Sequence, residues 1–215
     1  MIINPRTLPI VGVSQRVDSV AGRDEIRDSV DQKLLQWIVC AGFLPVPVPN
    51  ILSLAEDSQE LTLDNWLLAI QPSGLLLSGG NDIGEYPTRD ATERFLLTWA
   101  AERRVPVIGI CRGMQLMASW AGVELVKVAG HVKTRHELQV SDLVDEWPRD
   151  VNSFHNWALS ACPANFDIAA KAEDGSIEAI KHKALPWEAW MWHPERENPF
   201  QRNDIERLRK LFNGR

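Results

Sequence analysis

Over residues 1–125 the pattern of hydrophobic and polar positions changes repeatedly between that of a buried strand and that of a helix. Short apolar runs bounded by turn residues predict buried strands, and apolar residues spaced three and four apart predict the helices between them. The predicted strands are residues 8–13, 43–49, 74–78 and 105–110, and the predicted helices are residues 30–41, 61–70, 89–103 and 112–121. Strands that alternate with helices predict a mainly parallel sheet with helices on both faces.

Two further patterns refine this fold class. Proline occupies positions 45, 47 and 49, which favours an edge strand because proline cannot donate a hydrogen bond to a neighbouring strand. Beyond Val126 short strands are predicted near 137–140, 166–169, 177–180 and 188–192, followed by a helix at 202–212. The predicted class is therefore α/β, with a flavodoxin-like, mainly parallel central sheet and a short-stranded C-terminal β region.

Composition limits the kinds of partner. The 215 residues carry 23 Lys and Arg against 29 Asp and Glu, a net charge of −6, which disfavours binding to nucleic acid or anionic lipid. No linker or repeat divides the chain, so one domain over residues 1–215 is expected. No apolar stretch reaches the roughly 18 residues of a membrane span, and a cytoplasmic protein with a small-molecule partner is expected.

Cys111 is the strongest candidate for chemistry. It stands in Gly109-Ile110-Cys111-Arg112-Gly113, between a predicted strand and a predicted helix. A nucleophile on such a tight turn needs small neighbours, and the positive end of the helix dipole would favour its thiolate form. The alternative is a structural cysteine beside a glycine-rich turn. The other two cysteines, Cys40 and Cys162, form no CxxC motif, so neither a disulfide framework nor a zinc site is suggested.

Two other segments could complete a hydrolytic site. His193 and Glu195 stand in Trp192-His193-Pro194-Glu195, where an imidazole could move a proton and a carboxylate could orient it. Alone, this tripeptide would more often be a surface turn. Gly79 and Gly80 follow a predicted strand and could present backbone N–H groups to an oxyanion, although by themselves they would indicate only a tight turn.

Together these motifs resemble the class I glutamine amidotransferase-like superfamily, and within it the free-standing γ-glutamyl hydrolases. The resemblance implies that Cys111 attacks a γ-glutamyl carbonyl, that His193 relays the proton, and that Glu195 orients His193. It also implies an oxyanion hole formed by the N–H groups of Gly80 and Arg112. The substrate contacts that it implies are Gly79, Asn81, Gln115, Ser153, Phe154 and His155. Neither a metal nor a cofactor is expected for this mechanism.

The leaving group is inferred from charge. Arg16 follows the first predicted strand, and Lys133 and Arg135 lie in a basic segment from His131 to His136. Because arginine suits phosphate, these residues favour a leaving group that contains phosphate. The short chain, Ser14-Gln15-Arg16 and the basic segment together resemble the γ-glutamyl-CDP-amidate hydrolases, which implies a γ-glutamyl nucleotide amidate as substrate, with a γ-glutamyl amine as the other substrate class. The basic segment could equally be a solvated loop.

Two other functions remain open from the residues alone. The chain could be a glutaminase subunit that passes ammonia to a synthase partner, or a non-catalytic binding relative. The sequence also leaves a homodimer open. Trp187, Trp190 and Trp192 precede His193, and core packing or stacking on a nucleobase would account for them.

Overall fold

The computed structural model describes residues 8–54, 62–141 and 147–214. The helices are α1 (Gln32–Cys40), α2 (Leu63–Ile70), α3 (Pro87–Arg103), α4 (Arg112–Trp120) and α5 (Arg202–Asn213), with short 3-10 helices at Asn50–Leu54 and Pro194–Arg196. The strands of the central sheet are β1 (Ile10–Val13), β4 (Leu44–Pro47), β5 (Gly74–Leu77), β6 (Val107–Ile110), β9 (Gln139–Val140), β12 (Phe166–Lys171), β13 (Ile177–His182) and β14 (Trp187–Trp190). Three two-stranded ladders pair β2 (Arg16–Ser19) with β3 (Ile26–Ser29), β7 (Leu125–Lys127) with β11 (Trp157–Leu159), and β8 (Val132–Glu137) with β10 (Asp150–Phe154).

The central sheet has the order β4-β1-β5-β6-β14-β13-β12-β9. The first five of these strands are parallel, and the remaining three pair antiparallel at the far side. The proline-rich strand β4 lies at the edge, as its sequence predicts. Four adjacent parallel strands, β1, β5, β6 and β14, therefore end at one edge of the sheet, where ligands bind in open α/β folds.

Two apolar cores lie on the two faces of the sheet, because side chains alternate along each strand. In β5, Leu75 and Leu77 pack in the core that includes α2, α3 and α4, whereas Leu76 packs in the core that includes α1 and α5. Trp187, Trp190 and Trp192 are all buried in these cores, so none of them is available to stack on a ligand. No helix in the described ranges is long and apolar enough to cross a membrane.

The predicted architecture is confirmed, with differences at particular elements. The second predicted helix begins at Leu63 instead of residue 61, which lies outside the described residues. Thr62 caps it, since its hydroxyl accepts a hydrogen bond from the N–H of Asn65. The β2–β3 hairpin was not predicted, because its sequence has few apolar residues. The basic segment forms strand β8 rather than a loop.

Candidate active site

The predicted motifs meet at the carboxyl edge of the parallel strands. Arg16, Gly79, Cys111 and His193 follow β1, β5, β6 and β14, which are neighbours in the sheet. Cys111 and His193 line one pocket of about 150 Å³, together with Gly80, Arg112, Gln115 and Phe154. Sequence segments that are far apart along the chain thus form one site because parallel strands place their carboxyl ends side by side.

Cys111 lies on a strained turn between β6 and α4. Its backbone has φ 50° and ψ −103°, outside the regions that residues with a Cβ normally adopt. The flanking glycines permit this turn. A Cβ on Gly113 would lie 2.2 Å from the carbonyl oxygen of Leu77, and one on Gly109 would lie 2.7 Å from the carbonyl carbon of Gly113. The glycine requirement expected from the sequence therefore has a steric basis in β5 and α4.

His193 lies beside both Cys111 and Glu195. Its Nδ1 is 2.6 Å from Oε1 of Glu195, and its ring lines the same pocket as Cys111. Burial would lower the pKa of His193, but the Cys111 side chain and the Glu195 carboxylate outweigh burial and raise this pKa to about 9. A raised pKa means that this imidazole holds a proton more readily than a free histidine, which suits a group that gives a proton to a departing nitrogen. Asn152 fixes the His193 backbone through two hydrogen bonds, to its N–H and its carbonyl.

The turn at Ser78–Asn81 is held by a buried arginine. The guanidinium of Arg89 donates hydrogen bonds to the carbonyl oxygens of Ser78, Gly79 and Gly80 at 2.9, 3.0 and 2.9 Å. Gly80 has φ +89°, a conformation that favours glycine. Because the carbonyl oxygens of this turn accept hydrogen bonds from Arg89, the turn holds Gly80 on the pocket wall beside Cys111. The sequence motif did not reveal this role of Arg89.

A buried ion-pair network connects this turn to the start of α4. Glu93 is fully buried and accepts hydrogen bonds from Ser14, Arg89 and Arg112. Arg112, which is the first residue of α4, also pairs with Asp90. The first N–H groups of a helix have no partner within it, so the backbone N–H of Arg112 is a suitable donor to an oxyanion beside Cys111.

Other residues that were predicted to contact the substrate also line the pocket, but their side chains bind different parts of the protein. Gln115 and Phe154 line the pocket, and Nε2 of Gln115 donates to the carbonyl of Trp157 at 3.1 Å. Asn81 also lines the pocket, but its amide group bonds to the N–H and carbonyl of Val17 in β2. Its side chain therefore attaches the turn to the β2–β3 hairpin.

The segment from His131 to His136 does not form a single basic surface. Arg135 pairs with Asp150 and Glu197, and Lys133 is exposed. Neither is among the described residues that line the pockets at His193. Ser153 is fully buried, and its hydroxyl donates to the His131 carbonyl. His155 contributes to the pocket wall, but its ring nitrogens face His131 and the Trp157 carbonyl.

Two arginines lie at the mouth of the site. Arg16 borders a small pocket next to Gly79, Gly80 and His193, and Arg196 borders both this pocket and the one that contains Cys111. The guanidinium of Arg196 lies 4.4 Å from the centre of the Phe154 ring. Arg16 was predicted from the sequence and Arg196 was not, because only the folded chain brings Pro194–Arg196 next to the Gly79-Gly80 turn.

A family model described as Peptidase C26 matches residues 9–195. A γ-glutamyl-CDP-amidate hydrolase from Campylobacter jejuni is 29% identical over 211 residues, which cover 94% of this chain and 96% of the relative. A γ-glutamyl-γ-aminobutyrate hydrolase from Escherichia coli O157:H7 is 27% identical over 241 residues, covering 96% and 91%.

A solved structure shares the fold. The structure of a glutamine amidotransferase from Thermotoga maritima superimposes with a TM-score of 0.63 at 14% identity, covering 96% of this chain and 84% of the other. At that level of identity the similarity concerns the arrangement of helices and strands alone. It confirms the α/β architecture expected from the alternation of strands and helices.

Proposed function

Because this chain belongs to the Peptidase C26 family, it is a hydrolase, and we propose that it cleaves γ-glutamyl amides through a thioester on Cys111. The resemblance found in the sequence motifs is thereby confirmed at the level of the family. The observation that carries the proposal is the position of His193, which binds Glu195 through Nδ1 and lines the same pocket as Cys111, at the carboxyl edge of the sheet.

In the first half-reaction Sγ of Cys111 attacks the γ-carbonyl carbon of the bound substrate. Negative charge moves to the carbonyl oxygen, where the N–H groups of Gly80 and Arg112 stabilise it. The tetrahedral intermediate collapses and the carbon–nitrogen bond breaks. The imidazolium of His193 gives its proton to the departing nitrogen, and a γ-glutamyl thioester remains on Cys111.

In the second half-reaction a water molecule attacks the thioester. The neutral His193 accepts a proton from that water, with Glu195 on the opposite ring nitrogen to stabilise the imidazolium that forms. Collapse of the second tetrahedral intermediate breaks the carbon–sulfur bond. Glutamate leaves, and the thiolate and imidazolium are restored for another cycle.

For the leaving group we propose an anionic amidate, in particular a γ-glutamyl-linked nucleotide amidate. Arg16 and Arg196 flank His193 and provide two cations where the group on the scissile nitrogen would emerge. The Campylobacter relative acts on a γ-glutamyl-CDP-amidate, which agrees with this charge, and the Escherichia relative acts on γ-glutamyl-γ-aminobutyrate. A γ-glutamyl amine is therefore the second substrate class to test.

The test is glutamate release from γ-glutamyl nucleotide amidates, γ-glutamyl amines and glutamine. Wild-type protein and Cys162→Ala are expected to be active, and Cys111→Ala to lose at least about 1000-fold, because no other cysteine and no serine is among the described residues that line this pocket. Cys162 is the matched control, a half-buried thiol outside the pocket. Activity retained in Cys111→Ala with intact fold would refute the proposal.

The same screen separates the alternatives. A glutaminase subunit would show weak activity towards glutamine alone and strong activation by a synthase partner. A non-catalytic relative would release no glutamate, and Cys111 would resist thiol-labelling reagents. Fast turnover of a γ-glutamyl amidate without a partner excludes both.

The role of Arg16 is tested by substrate preference. Arg16→Ala is expected to lower kcat/KM by about 10- to 100-fold for a nucleotide amidate, because a hydrogen bond to a charged group contributes about 1.5–3 kcal/mol. A neutral γ-glutamyl alkylamide should be hydrolysed nearly as fast as by the wild type. Arg23→Ala, an exposed arginine between β2 and β3, is the control. Equal loss on both substrates would contradict a contact with the leaving group.

A further inference from the structure

A second cluster of titratable side chains lies outside the catalytic residues. One ligand atom from each of His131, His136, His155 and Glu178 lies within 4.8 Å of the others. Glu178 is fully buried, and among the described residues neither of its carboxylate oxygens has a hydrogen-bond partner. Nε2 of His136 is also buried without a partner there. A buried carboxylate without partners is costly unless a cation balances it.

The outer hydrogen bonds of the cluster fix two of its tautomers. Nε2 of His131 lies 2.9 Å from a carboxylate oxygen of Asp174, and Nδ1 of His155 lies 3.0 Å from the carbonyl oxygen of Trp157. Both partners can only accept, so these two nitrogens carry the hydrogens. In the neutral rings the other nitrogens, Nδ1 of His131 and Nε2 of His155, therefore present lone pairs to the cluster.

These inner atoms repel one another unless a cation lies between them. Nδ1 of His131 and Nε2 of His155 are 3.2 Å apart, and they lie 3.6 and 3.5 Å from Oε1 of Glu178. A single proton could join the two imidazoles, but it would leave the Glu178 carboxylate and His136 unsatisfied. A tetrahedral zinc ion with bonds of about 2.0–2.1 Å has ligand atoms about 3.3–3.4 Å apart, close to all three separations.

We propose that His131, His136, His155 and Glu178 bind a divalent transition metal, with Zn²⁺ as the expected ion. Imidazole nitrogens with one carboxylate are typical ligands of zinc. The hydrogen bonds to Asp174 and the Trp157 carbonyl are the outer contacts that usually orient metal-binding histidines. The ligand atoms of His131, His155 and Glu178 already have this spacing, and the ring of His136 would shift towards the ion to become the fourth ligand. Four protein ligands would close the coordination sphere, so the site would be structural rather than catalytic and separate from the Cys111 reaction.

The position of the site indicates what the metal would hold together. His131 directly precedes β8 and His136 lies in β8. His155 follows β10, whereas Glu178 lies in β13 of the central sheet. The metal would therefore attach the β8–β10 ladder to the sheet. Phe154, at the end of β10, lines the pocket beside Cys111, so the metal would also fix one wall of that pocket.

The test measures metal directly and does not depend on turnover. Cys111→Ala protein without a histidine tag is stripped with a chelator, dialysed against Zn²⁺, and analysed for bound zinc, so that the Cys111 thiol cannot bind the ion. We expect one zinc per chain, a rise in Tm on zinc addition, and the intense visible bands of tetrahedral Co²⁺ when cobalt replaces zinc.

Two further variants, made in the same Cys111→Ala protein, locate the bound ion. Glu178→Gln should bind zinc at least about 10-fold more weakly than Glu173→Gln, its control, an exposed carboxylate on the turn before β13. If Glu178→Gln does not fold, Asp174→Asn keeps all four ligands and should weaken binding by about 10- to 100-fold. Absence of stoichiometric zinc in the parent protein, or unchanged affinity in the variant that folds, would overturn the proposal and leave a proton-linked network of histidines.

Discussion

Gly79 packs directly against the ring of His193, and adding one methyl group there should impair catalysis. A Cβ on Gly79 would lie 2.7 Å from Cε1 of His193 and 3.6 Å from both ring nitrogens. The ring cannot easily retreat, because Glu195 binds its Nδ1 and Phe154 lies edge-on with ring centres 6.0 Å apart. Gly79→Ala should therefore displace the imidazole from Cys111.

The size of the effect follows from the overlap. Ordinary carbon contacts begin at about 3.4 Å, so the His193 ring or the Gly79 turn must move by about 0.7 Å. A displacement approaching 1 Å at a catalytic group can cost about 100-fold in rate, equivalent to about 2.7 kcal/mol in the activation free energy. Overpacking should also lower the free energy of unfolding by about 1–3 kcal/mol.

Gly74→Ala provides a matched control at the start of β5, the strand that Gly79 follows. A Cβ on Gly74 would lie 2.7 Å from Cδ1 of Phe212, an equal overlap with an aromatic ring that takes no part in the reaction. Glutamate release and urea unfolding should show that both variants lose stability while only Gly79→Ala loses about 100-fold in kcat/KM. If both variants kept kcat/KM within about threefold of wild type, the added methyl group would not displace His193 from Cys111, and this reasoning would be wrong.

Two further predictions concern buried charge. Glu93→Gln removes the carboxylate that Arg89 and Arg112 share, and it should lower the free energy of unfolding, measured in urea, by about 3–5 kcal/mol. The control is Glu102→Gln, an exposed position on the same helix, which should lower it by about 0.5 kcal/mol or less. Burial raises the pKa of Asp204 from 3.8 to about 7, so the folded protein holds this proton more tightly and loses stability as pH rises from about 4 to about 7. Asp204→Asn should therefore raise Tm at pH 8 and flatten the pH dependence, whereas the exposed Asp167→Asn should not; an unchanged profile in Asp204→Asn would contradict a buried, protonated carboxyl group.

The sequence predicted those parts of the site that depend on short segments. The glycines around Cys111 indicate a tight turn by themselves, because few other residues allow a helix to start so close to a strand. The pairing of His193 with Glu195 is also local, since a spacing of two residues brings both side chains to one place. The parallel sheet then followed from the alternation of strands and helices, and it brings these segments together.

Residues that act across the sheet were not predictable in this way. Arg89 binds the Ser78–Gly80 carbonyls only because α3 packs over the end of β5, and a buried arginine on a helix looks in sequence like any charged residue. The sequence shows that the segment from His131 to His136 is basic, but it does not show which way each side chain points. His131 and His136 face Glu178, whereas Arg135 pairs with acidic residues, and only the ladder of β8 with β10 separates these roles.

The most direct test of the central claim is to find the glutamyl group on the enzyme. The protein is mixed with a γ-glutamyl amide and quenched in acid within one turnover, and its peptides are analysed by mass spectrometry. The account predicts one γ-glutamyl thioester on the peptide that contains Cys111, which hydroxylamine removes and which is absent from Cys111→Ala but present in Cys162→Ala. A glutamyl group on another residue, or glutamate release by Cys111→Ala at the wild-type rate, would contradict it.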